Sequence, residues 1–457
     1  MNARLSRHTL AQLPVAVRSP GRALADLRVG MVHVGVGAFH RAHQAVYTQD
    51  AIAAGGGDWG ILGVSLRHAD TVDALTAQDC LYTVETLAEP NSYRVIGAVR
   101  AGIAASAHGA RLLSALASPA VHVVTLTITE KGYCLNSAGE LNFTDPDITD
   151  DLQSGAQPKT ALGWLVRGLA LRLAAGGAPL TIISCDNLAA NGPKLQQAVT
   201  AFAERCQPQI LGWLRTSVSF PQTVVDCLVP ATTAAVRARV QTALGLEDLA
   251  CVQREAYSQW VIEDRFSGPR PAWERAGVDI TVDVTGYAQL KLHVLNACHS
   301  ALAYLGVPRG FAFVHEAIAD AELAEFLEEL VHTEVAPTLA PLRVMDYWPR
   351  VRERFRNPKL EHRLAQIAED GSVKLAQRIF PLLIRNARSN TPTCRLARVV
   401  RWWLRLAADG TVKDPQSGRL QQWAGRDLDP LLADPLLFPA EIRGNAAVLA
   451  SLRAAAV

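Results

Sequence analysis

Val29-Gly30-Met31-Val32-His33-Val34-Gly35-Val36-Gly37-Ala38-Phe39-His40-Arg41 reads as a short, β-rich apolar run that ends in Gly-x-Gly and enters a helix. A strand running into glycines and then a helix is how a nucleotide-binding fold starts, because the glycines let the backbone approach a pyrophosphate at the positive end of the helix. The fingerprint is partial: His40 stands where a third glycine is usual, and Gly-x-Gly after a strand also serves as a plain turn. The residues on either side decide between the two.

Residues 61–66 read as a second strand, followed by Arg67-His68-Ala69-Asp70. Asp70 either receives the ribose hydroxyls of an adenosine or caps a helix N-terminus. Residues 82–87 and 93–99 suggest a hairpin-like pair, 107–117 a helix, and 121–129 the β-branched run of a buried parallel strand. Leu162, Leu165, Val166, Leu169 and Leu173 repeat at helical spacing up to Gly176-Gly177, and residues 180–184 supply another strand. This alternation predicts an α/β fold, a Rossmann-like doubly wound sheet. Its strand ends then carry Glu130-Lys131-Gly132 and Cys185-Asp186-Asn187, where open α/β sheets place ligands.

Further along, Leu290, Leu292, Val294, Leu295, Ala297, Cys298, Ala301, Leu302 and Leu305 fall on every side of one helix, the pattern of a helix buried all round. Lys291, Asn296 and His299 on it need partners or a task, since an unpaired polar group in a core costs about 2–7 kcal/mol. The structural alternative is that the lysine snorkels to an edge while the amide and imidazole satisfy neighbouring backbone. A catalytic site is the leading reading.

Beyond Asp283 helical stretches dominate (291–305, 315–335, 359–369 and 395–407), so the chain is divided into a nucleotide-binding domain, 1–282, and a mainly α-helical substrate-binding domain, 283–457. Ser267-Gly268-Pro269-Arg270-Pro271, flanked by Phe266 and Trp273, reads as an ordered turn.

The 457 residues are 49% hydrophobic and 19% charged, enough for two cores. Forty-five basic and 43 acidic residues, interspersed, leave a formal charge of +2 and no reason to expect nucleic acid or an anionic membrane as partner. No apolar run reaches about 18 residues, and residues 1–14 lack the apolar core of a secretory signal. Cys80, Cys134, Cys185, Cys206, Cys227, Cys251, Cys298 and Cys394 stand singly, as reduced thiols of a cytoplasmic protein do, and offer no zinc or disulfide spacing. His40 and His43 lack a third ligand and read as packing or cofactor-loop residues.

Together, residues 34–45, Thr127-Ile128-Thr129-Glu130-Lys131-Gly132-Tyr133, Ser184-Cys185-Asp186-Asn187, Phe220-Pro221 to Val225-Asp226, Lys291 to His299, and Asp370-Gly371-Ser372-Val373-Lys374 resemble the mannitol dehydrogenase family of polyol-specific long-chain dehydrogenases. The resemblance covers nearly the whole chain, in order. It implies NAD (NADH) as cofactor and no metal, with Gly35, Gly37, Ala38, Phe39, Asp70 and Glu130 on the cofactor. It implies Lys291 as general acid–base, Asn187 and Asn296 as donors to the carbonyl or alkoxide oxygen, His299 beside them, and Asp226, Lys374 and Arg378 on the substrate. A desolvated lysine loses affinity for its proton, and two amide donors stabilise a developing alkoxide, so the physics suits this casting.

The chain also departs from the family. Ala288 stands where relatives often have a glutamate that assists proton exchange, His293 and Cys227 where arginine is common, and Gln366 where some mannitol 2-dehydrogenases have a substrate-contacting arginine. The expected function is metal-independent, NAD-dependent interconversion of a polyol and its ketose. Two alternatives stand. Fructuronate or tagaturonate reduction would have Arg378 or Arg363 hold the sugar-acid carboxylate, unless both arginines form surface or interdomain ion pairs. A non-catalytic nucleotide-binding or regulatory protein would need a broken Lys/Asn/Asn/His set. A monomer or small homo-oligomer is expected.

Overall fold

The computed structural model describes residues 3–21, 24, 26–153, 157–422 and 428–456. The chain divides into two compact units, Met1–Val284 and Thr285–Val457.

In the first unit, six strands form one sheet: β1 (Val29–Val34), β2 (Gly60–Ser65), β3 (Val99–Ala104), β4 (Val123–Leu126), β5 (Leu180–Ser184) and β6 (Val218–Ser219). Their spatial order is β3-β2-β1-β4-β5-β6, every neighbouring pair parallel. The order reverses between β1 and β4, which is the switch point where such sheets bind ligands. Alternate side chains explain why these runs are apolar throughout. Val32, Val34, Leu62, Val64, Val124 and Ile182 pack into one core, while Met31, Ile61, Val99, Val123 and Ile183 pack into the core on the other face. Helices Gln44–Gly55, Ala105–Ala117, Ala161–Ala174 and Asn191–Cys206 make the crossovers. Strands Tyr82–Leu87 and Ser92–Ile96 pair antiparallel in a second sheet, and Thr223–Asp226 pairs with Gln259–Glu263 in a third.

β4 is shorter than the 121–129 run suggests, for a local reason. The Thr127 hydroxyl donates to the Gly35 carbonyl at 2.7 Å, and the amides of Ile128 and Thr129 donate to the Asp186 carboxylate at 3.0 and 2.9 Å. These bonds take the backbone out of the ladder after Leu126.

The second unit is helical and built around Ala297–Gly306, of which every residue but His299 is buried. Val314–Ala319, Ala321–Leu330, Leu364–Ala368, Gly371–Arg378 and Cys394–Ala408 pack around it. Two expectations are corrected here. The helix is not buried all round from its start, because residues 285–292 are only partly buried or exposed, and Lys291–Asn296 forms a π-helical turn between the α-helices Thr285–Leu290 and Ala297–Gly306. The helix expected over 359–369 is broken into Pro358–Leu360 and Leu364–Ala368, since Arg363 pairs with Phe313 in a short antiparallel bridge.

Among the described residues, no helix is long and apolar enough to cross a membrane. All eight cysteines are free.

Candidate active site

The first unit holds a cavity of about 310 Å³ where the ends of β1, β2 and β4 meet. Gly35, Ser65, Leu66, Arg67 and His68 line one side, and Ile128, Thr129, Lys131, Lys159 and Thr160 the other. Gly35 has φ +97°, and a Cβ there would lie 2.0 Å from the Thr127 carbonyl oxygen, so only glycine closes this turn. Beside Gly37 the space is open, its nearest neighbour being 3.8 Å from a built Cβ, and the short helix Ala38–Ala42 starts immediately after it. Open backbone before a helix start suits the approach of a pyrophosphate.

Phe39 stacks on His43, whose Nε2 meets the Gln259 carbonyl at 2.9 Å. His40, at the place of the third glycine, is buried and stacks on His33 with ring centroids 3.4 Å apart. His33 bridges Thr125 Oγ1 (2.7 Å) and Thr127 Oγ1 (2.9 Å), and burial pushes it down to about pKa 3. Burial, and after it the neighbouring His33, Arg41 and His43, likewise hold His40 well below the usual histidine range. These are packed neutral rings. Among the described residues no group of three or more His, Cys, Asp or Glu could hold a metal.

Asp70 is exposed and opens helix Asp70–Thr76 one residue after the N-cap, Ala69, so the capping alternative fails. It is not among the residues lining the cavity. Glu130 is exposed on the turn Glu130–Tyr133, between cavity residues Thr129 and Lys131.

After β5, Asp186 receives Ile128, Thr129 and the Tyr133 hydroxyl (2.6 Å). Burial raises its pKa and these three donors pull the other way. Asn187 follows, exposed, on a loop pinned by the buried Asn191 amide, which donates to the Asp186 carbonyl at 3.1 Å and to Thr223 Oγ1 at 3.0 Å. Asp226 ends its strand, buried, opposite Gln259.

In the second unit the π-helical turn sets the geometry. On an α-helix, residues five apart point about 140° away from each other. The i→i+5 bonding of a π turn instead stacks Asn296 one turn above Lys291, and His299 follows within the next turn. Lys291, Asn296 and His299 are all partly buried on this stripe.

Beside it lies a group of cations. Arg378 Nη1 donates to Ser300 Oγ at 3.0 Å and to the Asn296 carbonyl at 3.4 Å, and Lys374 Nζ donates to the Ile367 carbonyl at 3.2 Å. Both side chains bond only neutral oxygens and, among the described residues, form no ion pair. Desolvation and then Arg378 lower the pKa of Lys374; desolvation lowers that of Arg378. His362, which sequence reasoning missed, lies 5.1 Å from His299 between ring centroids. Burial, Lys374, Arg354 and Arg378 push His362 down to about 4, and burial followed by His362, Arg354 and Arg378 holds His299 far below its ordinary value. Both rings are therefore neutral at pH 7. His362 is placed by the short ladder in which Val314 N donates to its carbonyl and Leu364 N to Ala312. No periodicity marks such a residue. Arg363 is exposed, its guanidinium 5.6 Å above the Phe313 ring, outside this group. Gln366 is exposed, and His293 is buried with Nδ1 at 3.0 Å from the Arg378 carbonyl.

Comparison with known proteins matches both units. The family model of the mannitol dehydrogenase Rossmann domain covers residues 29–275, and that of the mannitol dehydrogenase C-terminal domain residues 283–455. D-mannonate oxidoreductase of Escherichia coli is 36% identical over 451 residues, 97% of this chain and 91% of that protein. Mannitol 2-dehydrogenase of Cereibacter sphaeroides is 37% identical over 398 residues, 85% of this chain and 83% of that protein. The structure of Pseudomonas fluorescens mannitol 2-dehydrogenase in ternary complex with NAD and D-mannitol superposes with a TM-score of 0.84 at 36% identity, covering 98% of this chain and 95% of the other. By sequence and by fold, the chain belongs to the mannitol dehydrogenase family and is an oxidoreductase of CH–OH groups.

Proposed function

We propose that the chain interconverts a polyol and its ketose by hydride exchange with NAD(H), without a metal, using Lys291 as general acid–base. The stacking of Lys291 and Asn296 by the π-helical turn carries this reading. The turn about Gly35 and Gly37 and the cavity beside it fit a dinucleotide. NAD(H) supplies the hydride acceptor and donor. Lys291 Nζ takes the hydroxyl proton as the alcohol is oxidised and returns one as the ketone is reduced. The Asn296 amide donates to the substrate oxygen as negative charge develops on it, and Asn187 is assigned the second donor on the family resemblance. His299, neutral, bonds a neighbouring hydroxyl without adding charge. Lys291→Ala should lower turnover about 10²–10⁴-fold, the share of a general acid–base, while NADH binding by fluorescence titration is retained. Near-normal turnover would remove Lys291 from this role.

A second substrate reading has its own observation. Lys374 and Arg378, partly buried beside the stripe and hydrogen-bonded to neutral oxygens, suit the carboxylate of a sugar acid such as fructuronate or tagaturonate. Rates with fructose, fructuronate and tagaturonate in the presence of NADH decide between the two.

A further inference from the structure

We propose that Asp414 is a positioning residue for substrate binding: from a loop 42 residues further along the chain it fixes the start of helix Gly371–Arg378, and with it Lys374 and Arg378. This rests on the proposed placement of substrate beside those two cations. Lys374 and Arg378 are four apart, so they share one face of a short helix and move with it. The helix's own cap does not fix its start. Asp370, the N-cap, lies in the left-handed region at φ +57°, and its side chain makes no capping bond. The bond comes instead from the buried Asp414, whose Oδ2 accepts Ser372 N at 2.8 Å. A carboxylate at this place also meets the positive end of the helix. The Asp370 amide donates to the Lys413 carbonyl at 3.0 Å, so Lys413 and Asp414 together hold the backbone on either side of Gly371.

The same carboxylate ties this start to the core. Asp414 Oδ2 also accepts the indole Nε1 of the fully buried Trp403 at 3.0 Å, and Oδ1 accepts Gln416 N at 2.9 Å. Gly371 lies against that indole: a Cβ there would stand 2.3 Å from Trp403 Nε1 and 2.5 Å from the Tyr304 hydroxyl oxygen. The Tyr304 hydroxyl donates at 3.0 Å to the carbonyl of Ala368, which ends the preceding helix. Tyr304 stands one turn along helix Ala297–Gly306 from Ser300, which takes Arg378. Residues 368–378 are therefore held at both ends on the helix that carries His299, the last turn by Arg378 on Ser300 and the first by Asp414, Trp403 and Tyr304. Removing the carboxylate frees the first turn and leaves the buried Trp403 Nε1 without its acceptor. Lys374 lies nearer that end, Arg378 keeps Ser300, and Lys291 and Asn296 lie on another segment. The loss falls on substrate binding and spares proton transfer.

The test is steady-state kinetics with NADH and whichever of fructose and fructuronate the enzyme reduces. Asp414→Ala should raise KM for the sugar about fivefold or more, with kcat kept within about threefold and KM for NADH unchanged, the pattern of lost binding common to ground and transition states. Asp414→Asn keeps the shape and one oxygen acceptor, so it should fold even where alanine does not and still raise KM for the sugar about twofold or more. Gly371→Ala, which pushes Trp403 and Tyr304 away from the same helix start, should raise KM for the sugar in the same way. Circular dichroism and melting temperature report the fold; a purely structural cap would lower the melting temperature and leave KM in place. A KM within about twofold of wild type in folded Asp414→Asn and Gly371→Ala, or a fall in kcat as large as the rise in KM, overturns the proposal. Lys374→Met separates it from the reading beneath. If that variant raises KM and the Asp414 variants do not, substrate stays beside Lys374 and the positioning role falls; if Lys374→Met leaves KM unchanged, both fall.

Discussion

Replacing Arg378 by methionine separates the two substrate readings. Methionine keeps much of the apolar stem that packs beside Ser300 and removes the charge. The lost bond to Ser300 Oγ is offset in part by relief of the repulsion from Arg378 that helps lower the pKa of Lys374, so Lys374 should hold its proton more tightly and the fold should survive. A charge-assisted bond to a carboxylate is worth about 1.5–3 kcal/mol. At about 1.4 kcal/mol per factor of ten, its loss lowers kcat/KM for fructuronate roughly 10–150-fold. Fructose has no carboxylate to lose, so its kcat/KM should change far less. Arg378→Lys should recover part of the loss, because it restores the charge without the fork. Initial rates of NADH oxidation on both substrates, with melting temperatures as a fold control, provide the measurement. Equal losses on fructose and fructuronate would refute the assignment of Arg378 to a carboxylate.

Acid should destabilise the first unit through His33. Its folded pKa of about 3 lies below the ordinary 6.5, so its stabilisation is complete above pH 6.5 and is lost as pH falls toward 3, at about 1.4 kcal/mol per pH unit for one such group. Urea midpoints measured across that range should fall less steeply for His33→Asn, and an unchanged slope would contradict the assignment. Gly35→Ala should cost about 1–3 kcal/mol in backbone strain alone and weaken 5′-AMP binding; a variant that melts like the wild type counts against the turn described here. Prolonged dialysis against a strong chelator should leave turnover intact, because Lys291 and the amides carry the work a metal would do; activity lost and then restored by zinc would overturn that.

Much of the fold could be read from residues whose pattern is local. The apolar runs at Val29–Val34, Gly60–Ser65 and Leu180–Ser184 are strands because both faces are buried, and that shows in composition without any partner. What escaped depends on contacts between distant residues. β4 ends early because Thr127 and Asp186 capture its continuation, and helix 359–369 breaks because Phe313, fifty residues earlier, pairs with Arg363. In the site, Lys291, Asn296 and His299 stand out as polar residues on an apolar helix, yet the π-helical turn that aligns them leaves no mark in a hydrophobic pattern. His362 and the neutral hydrogen-bond partners of Lys374 and Arg378 depend on tertiary packing alone. Asp70 stands apart from these, an exposed acid at the start of helix Asp70–Thr76 that does not line the cavity.

The π-helical turn makes the site a matter of counting. Its extra residue lets Lys291 and Asn296, five apart, stand one turn apart, and the packed segment Ala297–Gly306 follows undisturbed. Deleting a single residue between Leu292 and Leu295 would leave the pair four apart, and α-helical winding then holds them within about 40° of each other. Adding a residue to an α-helix of the present length would set them six apart, on different faces. Length in this stretch is therefore constrained in one direction: the alignment tolerates the loss of a residue and not the gain of one.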